Sequence, residues 1–132
     1  LFSDPQSITV NAVAQSMPRV SQSGLASVYK KSDGTYRLEI SHQTTTQNRS
    51  RNTTSGIQTV KQTVIRSLVR FVKRAIVADP VSSTNDYEEL VVQLVVQRPE
   101  VGFTMVELEQ VWAGFVAWAN TATIDKVYGL ES

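Results

Sequence analysis

Seven basic side chains, Arg49, Arg51, Lys61, Arg66, Arg70, Lys73 and Arg74, fall between residues 40 and 78, with no acidic residue among them. Guanidinium groups pair with phosphate in a fixed, often bidentate geometry, so a cluster of this kind is suited to holding a polyanion. Residues 1–39 carry four basic and three acidic side chains, while residues 79–132 carry two basic and nine acidic ones. The formal net charge of +1 therefore conceals a segment of +7 followed by one of −7. Such segregation suggests a basic surface for a polyanion and an acidic surface elsewhere. The plainer alternative is two solvated faces of an ordinary domain.

Catalytic constellations are missing from the inventory. His42 is the only histidine and there is no cysteine, so no second imidazole or thiolate exists to complete a nucleophile or metal set. The paired acids Glu88-Glu89 and Glu107/Glu109 stand at a strand start and in a first helical turn, where solvation or the helix dipole accounts for them. The glycines form no phosphate-cradling motif, and Trp112 and Trp118 are spaced for packing. No enzymatic activity, cofactor, metal or small-molecule substrate is expected. Apolar runs fall short of a membrane helix and no signal-peptide pattern opens the chain, so a soluble, intracellular protein without membrane contact is expected.

The elements that must position these groups are clearest between Tyr87 and Asn120. Leu90, Val92, Leu94 and Val96 fall on one side of an extended chain, and Val91, Gln93, Val95 and Gln97 on the other. Pro99 ends this strand. Thr104 and Glu107 then form a capping box that opens a helix over Met105 to Ala119. Leu108, Val111, Trp112, Phe115, Val116 and Ala119 recur at the spacing of one helical face. Trp112, Phe115, Val116 and Trp118 spread over more than one stripe, wider than a lone sheet face covers. A second subunit is expected to bury part of that surface in a symmetric dimer.

Upstream, the pattern predicts an antiparallel meander in a single domain spanning 1–132. Ser7 to Ala14 reads as a strand, Gln15-Ser16 as its turn, and Met17 to Ser21 as a short return. Leu25 to Lys31 and Thr35 to Thr45 read as strands joined by the Ser32-Asp33-Gly34 turn. Residues 46–57 are polar and rich in Gly, Asn and Ser, as in a turn or mobile hairpin tip. Residues 60–76 fit two patterns. As a helix they gather Val60, Val64, Leu68, Phe71, Val72 and Ala75 opposite Arg66, Arg70, Lys73 and Arg74. As a strand they set Arg66, Arg70 and Arg74 on one face. The helical reading would make the chain a cellular nucleic-acid-binding module with a basic amphipathic helix at 60–76.

The string Asp33-Gly34-Thr35-Tyr36-Arg37-Leu38-Glu39-Ile40-Ser41-His42-Gln43 resembles the central hairpin of coat proteins from single-stranded RNA bacteriophages, the leviviruses. So does the order that follows: a basic strand, the Ala78-Asp79-Pro80 loop, a Val-rich strand, and Gly102-Phe103-Thr104 opening a helix. The tail from Asp125 to Ser132 resembles the second helix and terminus of those proteins. The segment between His42 and Arg66 departs from the family, being longer than its tight hairpin.

The resemblance implies an α+β fold: an N-terminal β-hairpin, an antiparallel sheet of about five strands and two C-terminal helices, paired into an intertwined homodimer. Dimers would close into an icosahedral shell that binds and packages viral single-stranded RNA, placing the protein in the virion capsid after assembly in the host bacterial cytoplasm. The loop containing Asp79, Pro80, Ser82 and Ser83 would join dimers, and the sheet face away from the helices would face RNA. If 35–45, 64–74 and 90–98 share one sheet, that face carries Arg37, Ser41, Gln43 and Thr45, then Arg66, Arg70 and Arg74, then Gln93 and Gln97. Arg49, Arg51, Lys61 and Lys73 are further candidates for RNA contact.

Overall fold

The alternation Tyr36-Arg37-Leu38-Glu39-Ile40 commits one side of a strand to the core and the other to charge, and the structure is laid out around it. The computed structural model describes residues 2–78 and 85–131; the loop residues Asp79, Pro80, Ser82 and Ser83 lie outside the described residues. The chain divides into two compact units, Leu1–Arg98 and Pro99–Ser132.

Among the described residues the first unit holds seven strands, β1 (Gln6–Val10), β2 (Val13–Met17), β3 (Arg19–Ser23), β4 (Ala26–Lys30), β5 (Tyr36–Thr53), β6 (Gly56–Ala78) and β7 (Asn85–Pro99). β1 and β2 form a separate hairpin, and the other five form one sheet in the order β3-β4-β5-β6-β7. β3 through β6 pair antiparallel, each with the next in sequence. Tyr29, Leu38 and Phe71 stand side by side across three strands, and Ile40 stands beside Val69. These residues share a face, and Ile8, Val10 and Met17 of the hairpin pack onto it. Met17 and Tyr29 are fully buried, and Leu38 and Ile40 nearly so. Burying five large side chains here contributes on the order of 10 kcal/mol before chain entropy is subtracted.

The hairpin turns earlier than Gln15-Ser16, the expected position. Asn11 and Ala12 form a two-residue turn with φ of 50° and 62°, which pairs Ile8 with Gln15 and Gln6 with Met17. Asn tolerates the left-handed region, but Ala12 gives no turn signal, so the alternation appeared to run on. Gln15 is instead a buried strand residue, and the Lys31 Nζ donates to its Oε1 at 2.7 Å. In the β4–β5 hairpin turn, Gly34 takes a φ of 75° that favours glycine. There the Thr35 hydroxyl and amide donate to Asp33, holding that carboxyl below its ordinary value.

Residues 46–57 are not a loose tip. β5 runs on to Thr53 and β6 starts at Gly56, so only Thr54 and Ser55 turn the chain. The register continues without a shift from Tyr36 opposite Lys73 to Thr53 opposite Gly56. Residues 60–76 lie wholly within β6, which removes the basic amphipathic helix and the reading built on it. Threonines at 44–46, 59 and 63 supply the β-branched character. The segment looked like a loop because most of it is exposed, with no apolar side to betray a strand.

The second unit contains α1 (Met105–Trp118) and α2 (Thr121–Tyr128). The expected capping box is formed: the Glu107 amide donates to Thr104 Oγ1 at 3.2 Å, and the Thr104 amide donates to Glu107 Oε2 at 2.8 Å. Asn120 caps α2 by accepting from the Thr123 amide at 3.2 Å.

Leu38 is the central residue of the core row, so Leu38→Ala should cost about 2–5 kcal/mol of unfolding free energy. Equilibrium denaturation of the disassembled protein measures this, and a loss below about 1 kcal/mol would place the core elsewhere.

Candidate nucleic-acid interface

Side chains directly opposite one another in an antiparallel pair share a face, so the register assigns each candidate to a side. Arg37 stands opposite Val72, Glu39 opposite Arg70, Ser41 opposite Leu68, Gln43 opposite Arg66 and Thr45 opposite Val64. Arg74 follows Val72 at period two on the same side of β6. Arg37, Ser41, Gln43, Thr45, Arg66, Arg70 and Arg74 therefore occupy one face, opposite the side covered by the N-terminal hairpin.

Two contacts assign β7. The Arg74 guanidinium lies 4.0 Å from the centre of the Tyr87 ring, and Arg37 Nη1 lies 3.7 Å from Glu89 Oε1. Odd-numbered residues of β7 thus share the face, and Gln93 and Gln97 follow at period two. Arg49 and Arg51 join it too, opposite Val60 and Gln58. Lys61 and Lys73 do not: they stand opposite Asn48 and Tyr36, on the other side of the β5–β6 pair. His42 is also on that other side, with its Nδ1 2.9 Å from Ser67 Oγ.

The face has an apolar floor. Val72 is 1% exposed and Val64 is 7% exposed, although both point away from the core row. Around Val72 the charges interlock: Glu39 Oε1 lies 2.8 Å from Arg37 Nε, and Glu39 Oε2 lies 3.7 Å from Arg70 Nη1. The Nε atoms of Arg37 and Arg70 are shielded from solvent and make no hydrogen bond, so the short Arg37–Glu39 approach is ionic in character rather than an aligned hydrogen bond.

Sequence reasoning missed Tyr87, Glu89 and Lys30 as members of this face. Lys30 stands opposite Arg37. Their signal is cross-strand position, which no local pattern carries. The apolar candidates Trp112, Phe115, Val116 and Trp118 all lie on α1, and none is buried. The Phe115 and Trp118 rings stack with centroids 5.9 Å apart.

Known proteins resemble this chain in both sequence and fold. The family model described as "Phage phiCb5, coat protein" matches residues 3–97. A search of the curated proteins finds no match. Among solved structures, the virus-like particle of bacteriophage AVE019 matches with a TM-score of 0.68 at 12% identity, covering 100% of this chain and 99% of that one. The virus-like particle of Beihai levi-like virus 21 matches with a TM-score of 0.63 at 10% identity, covering 98% of this chain and 95% of that one. Those identities speak to fold alone, and the fold they share is the hairpin, the five-stranded sheet and the two C-terminal helices described above. With most of the sheet unit matched in sequence as well, the chain belongs to the phage phiCb5 coat-protein family: it is a single-stranded RNA phage coat protein, a structural component of the virion capsid and not an enzyme.

Proposed function

We propose that this coat protein forms a homodimer, that dimers close into an icosahedral shell, and that the shell packages single-stranded RNA against the basic sheet face, with both compact units acting as one coat domain. The observation that carries the reading is the β5–β6 register, which collects six arginines with Ser41, Gln43 and Thr45 on the face turned away from the hairpin. Arginines pair with phosphates, while hydroxyl and amide side chains donate to and accept from sugars and bases. Solved structures of the same fold are virus-like particles, which supports closure into a shell.

Dimerisation is supported by apolar surface without cover. On α1, Val111 is 71% exposed, Trp118 62% and Phe115 53%. On β7, Leu90 and Val92 are more than 60% exposed, and they occupy the side away from Tyr87 and Glu89. β7 is also an edge strand, whose free backbone groups invite pairing with a second copy. Surfaces this apolar on a small protein mark sites of association.

Trp112→Ala should weaken the dimer and abolish shells together, as followed by sedimentation and electron microscopy. A variant that still forms normal shells would remove α1 from the interface. Replacing Arg66, Arg70 and Arg74 together by Ala should lower the RNA content of purified shells several-fold, read from their ultraviolet absorbance ratio. Shells with undiminished RNA would place the RNA contacts outside these three arginines.

A further inference from the structure

We infer that the RNA face is divided: its centre is neutralised by internal ion pairs, and the phosphate grip lies on the outer β5–β6 ribbon at Arg49, Arg51 and Arg66. This rests on the RNA-packaging reading and says where on that face the charge is available.

At the centre, Arg37, Arg70 and Arg74 are each already engaged, and Lys30 is the one cation there with no ion pair among the described residues. Glu39 lies between Arg37 and Arg70, at 2.8 and 3.7 Å, and Glu89 approaches Arg37 at 3.7 Å. Both arginines have a solvent-shielded Nε, so each guanidinium is partly withdrawn from solvent. Arg74 is stacked on Tyr87. A phosphate arriving here would meet two carboxylates and would have to break existing pairs before forming new ones.

Beyond Ser41, where β4 stops pairing, β5 and β6 continue together as a ribbon. From Gln43 to Arg51 the strand spans roughly 27 Å. Arg66, Arg49 and Arg51 lie along one face of it, and among the described residues none has an ion-pair partner. Arg49 has only a neutral neighbour, donating to Gln62 Oε1 at 3.4 Å. No acidic residue occurs between positions 40 and 78 to oppose the approach of an anion. The ribbon also carries an open, shallow hollow of about 500 Å³. Arg49, Arg51 and Lys61 line it together with Val60 and Gln62. That volume suits a small ligand group, and the lining suits an anionic one.

The division has a consequence for recognition. Phosphate contacts on the ribbon would set affinity and its salt dependence, whereas the neutralised centre would offer directional hydrogen bonds from Ser41 and Gln93. Glu39 is then a specificity-determining residue, because it keeps the sugar–phosphate backbone off the centre.

The test is binding of a short mixed-sequence single-stranded RNA to the full-length protein, measured against potassium chloride concentration. Arg49→Ala with Arg51→Ala should reduce the slope of log affinity against log salt by about 1.4, two single-strand phosphate contacts. Arg37→Ala should change it by less than about 0.7, one contact, and Glu39→Gln should steepen it by freeing Arg37 and Arg70. The paired variant Arg49→Lys with Arg51→Lys keeps the charges and should keep the slope, which separates lost charge from lost structure. An unchanged slope in the double alanine variant, or an equal fall in Arg37→Ala, overturns the division while leaving RNA binding itself intact. A wild-type protein that binds no RNA overturns the packaging reading beneath it.

Discussion

The constraint on which everything else depends is the unbroken pairing of β5 with β6. Every one of the eighteen residues of β5 has a partner on β6, and the period of two sorts them without exception into two faces. A slip of one residue would carry Leu38 and Ile40 to the charged side and bring Arg37 and Glu39 under the hairpin. Burying those charges without full compensation would cost several kcal/mol, more than any ribbon contact could restore. The core row of Tyr29, Leu38 and Phe71 therefore fixes the register, and the register in turn presents the arginines far out on the ribbon.

Concentrating cations on one face of a small sheet carries an electrostatic cost, and the structure meets it locally. Glu39 is the only acid on β5 and β6, and it lies where Arg37 and Arg70 converge. Glu89 and the Tyr87 ring, both from β7, take up the remaining charge of Arg37 and Arg74. Each of these contacts is partly exposed and individually worth about 1 kcal/mol or less. Their effect is to shape the field rather than to hold the fold. Away from β7's acids the field is unmoderated, and a polyanion would feel it most along the ribbon.

The chain also leaves much of its apolar surface unfinished. A fourteen-residue helix with two tryptophans and no buried residue is not a stable end state in water. The same holds for the Leu90 and Val92 side of an edge strand. A capsid protein belongs in a lattice of copies, so incomplete burial within one chain fits its role.

Much of this was legible in the residues alone. Alternation in Tyr36 to Gln43 and in Leu90 to Gln97 identified strands and their two sides, because side-chain parity is a local property of an extended chain. The capping box at Thr104 and the clustering of Arg66, Arg70 and Arg74 are local as well. Local signals misplaced the first turn, since Ala12 in a left-handed conformation leaves no mark in composition. They also mistook the ribbon for a loop, since a two-stranded arm exposed on both sides has no apolar stripe. Only the tertiary structure decided which residues stand opposite one another: that Glu39 meets Arg70, that Lys61 and Lys73 lie on the other face, and that Arg74 rests on Tyr87. Parity follows from the chain itself, but the partner of each residue is chosen by cross-strand pairing and core burial, and those join positions far apart in sequence, Glu39 and Arg70 by more than thirty residues.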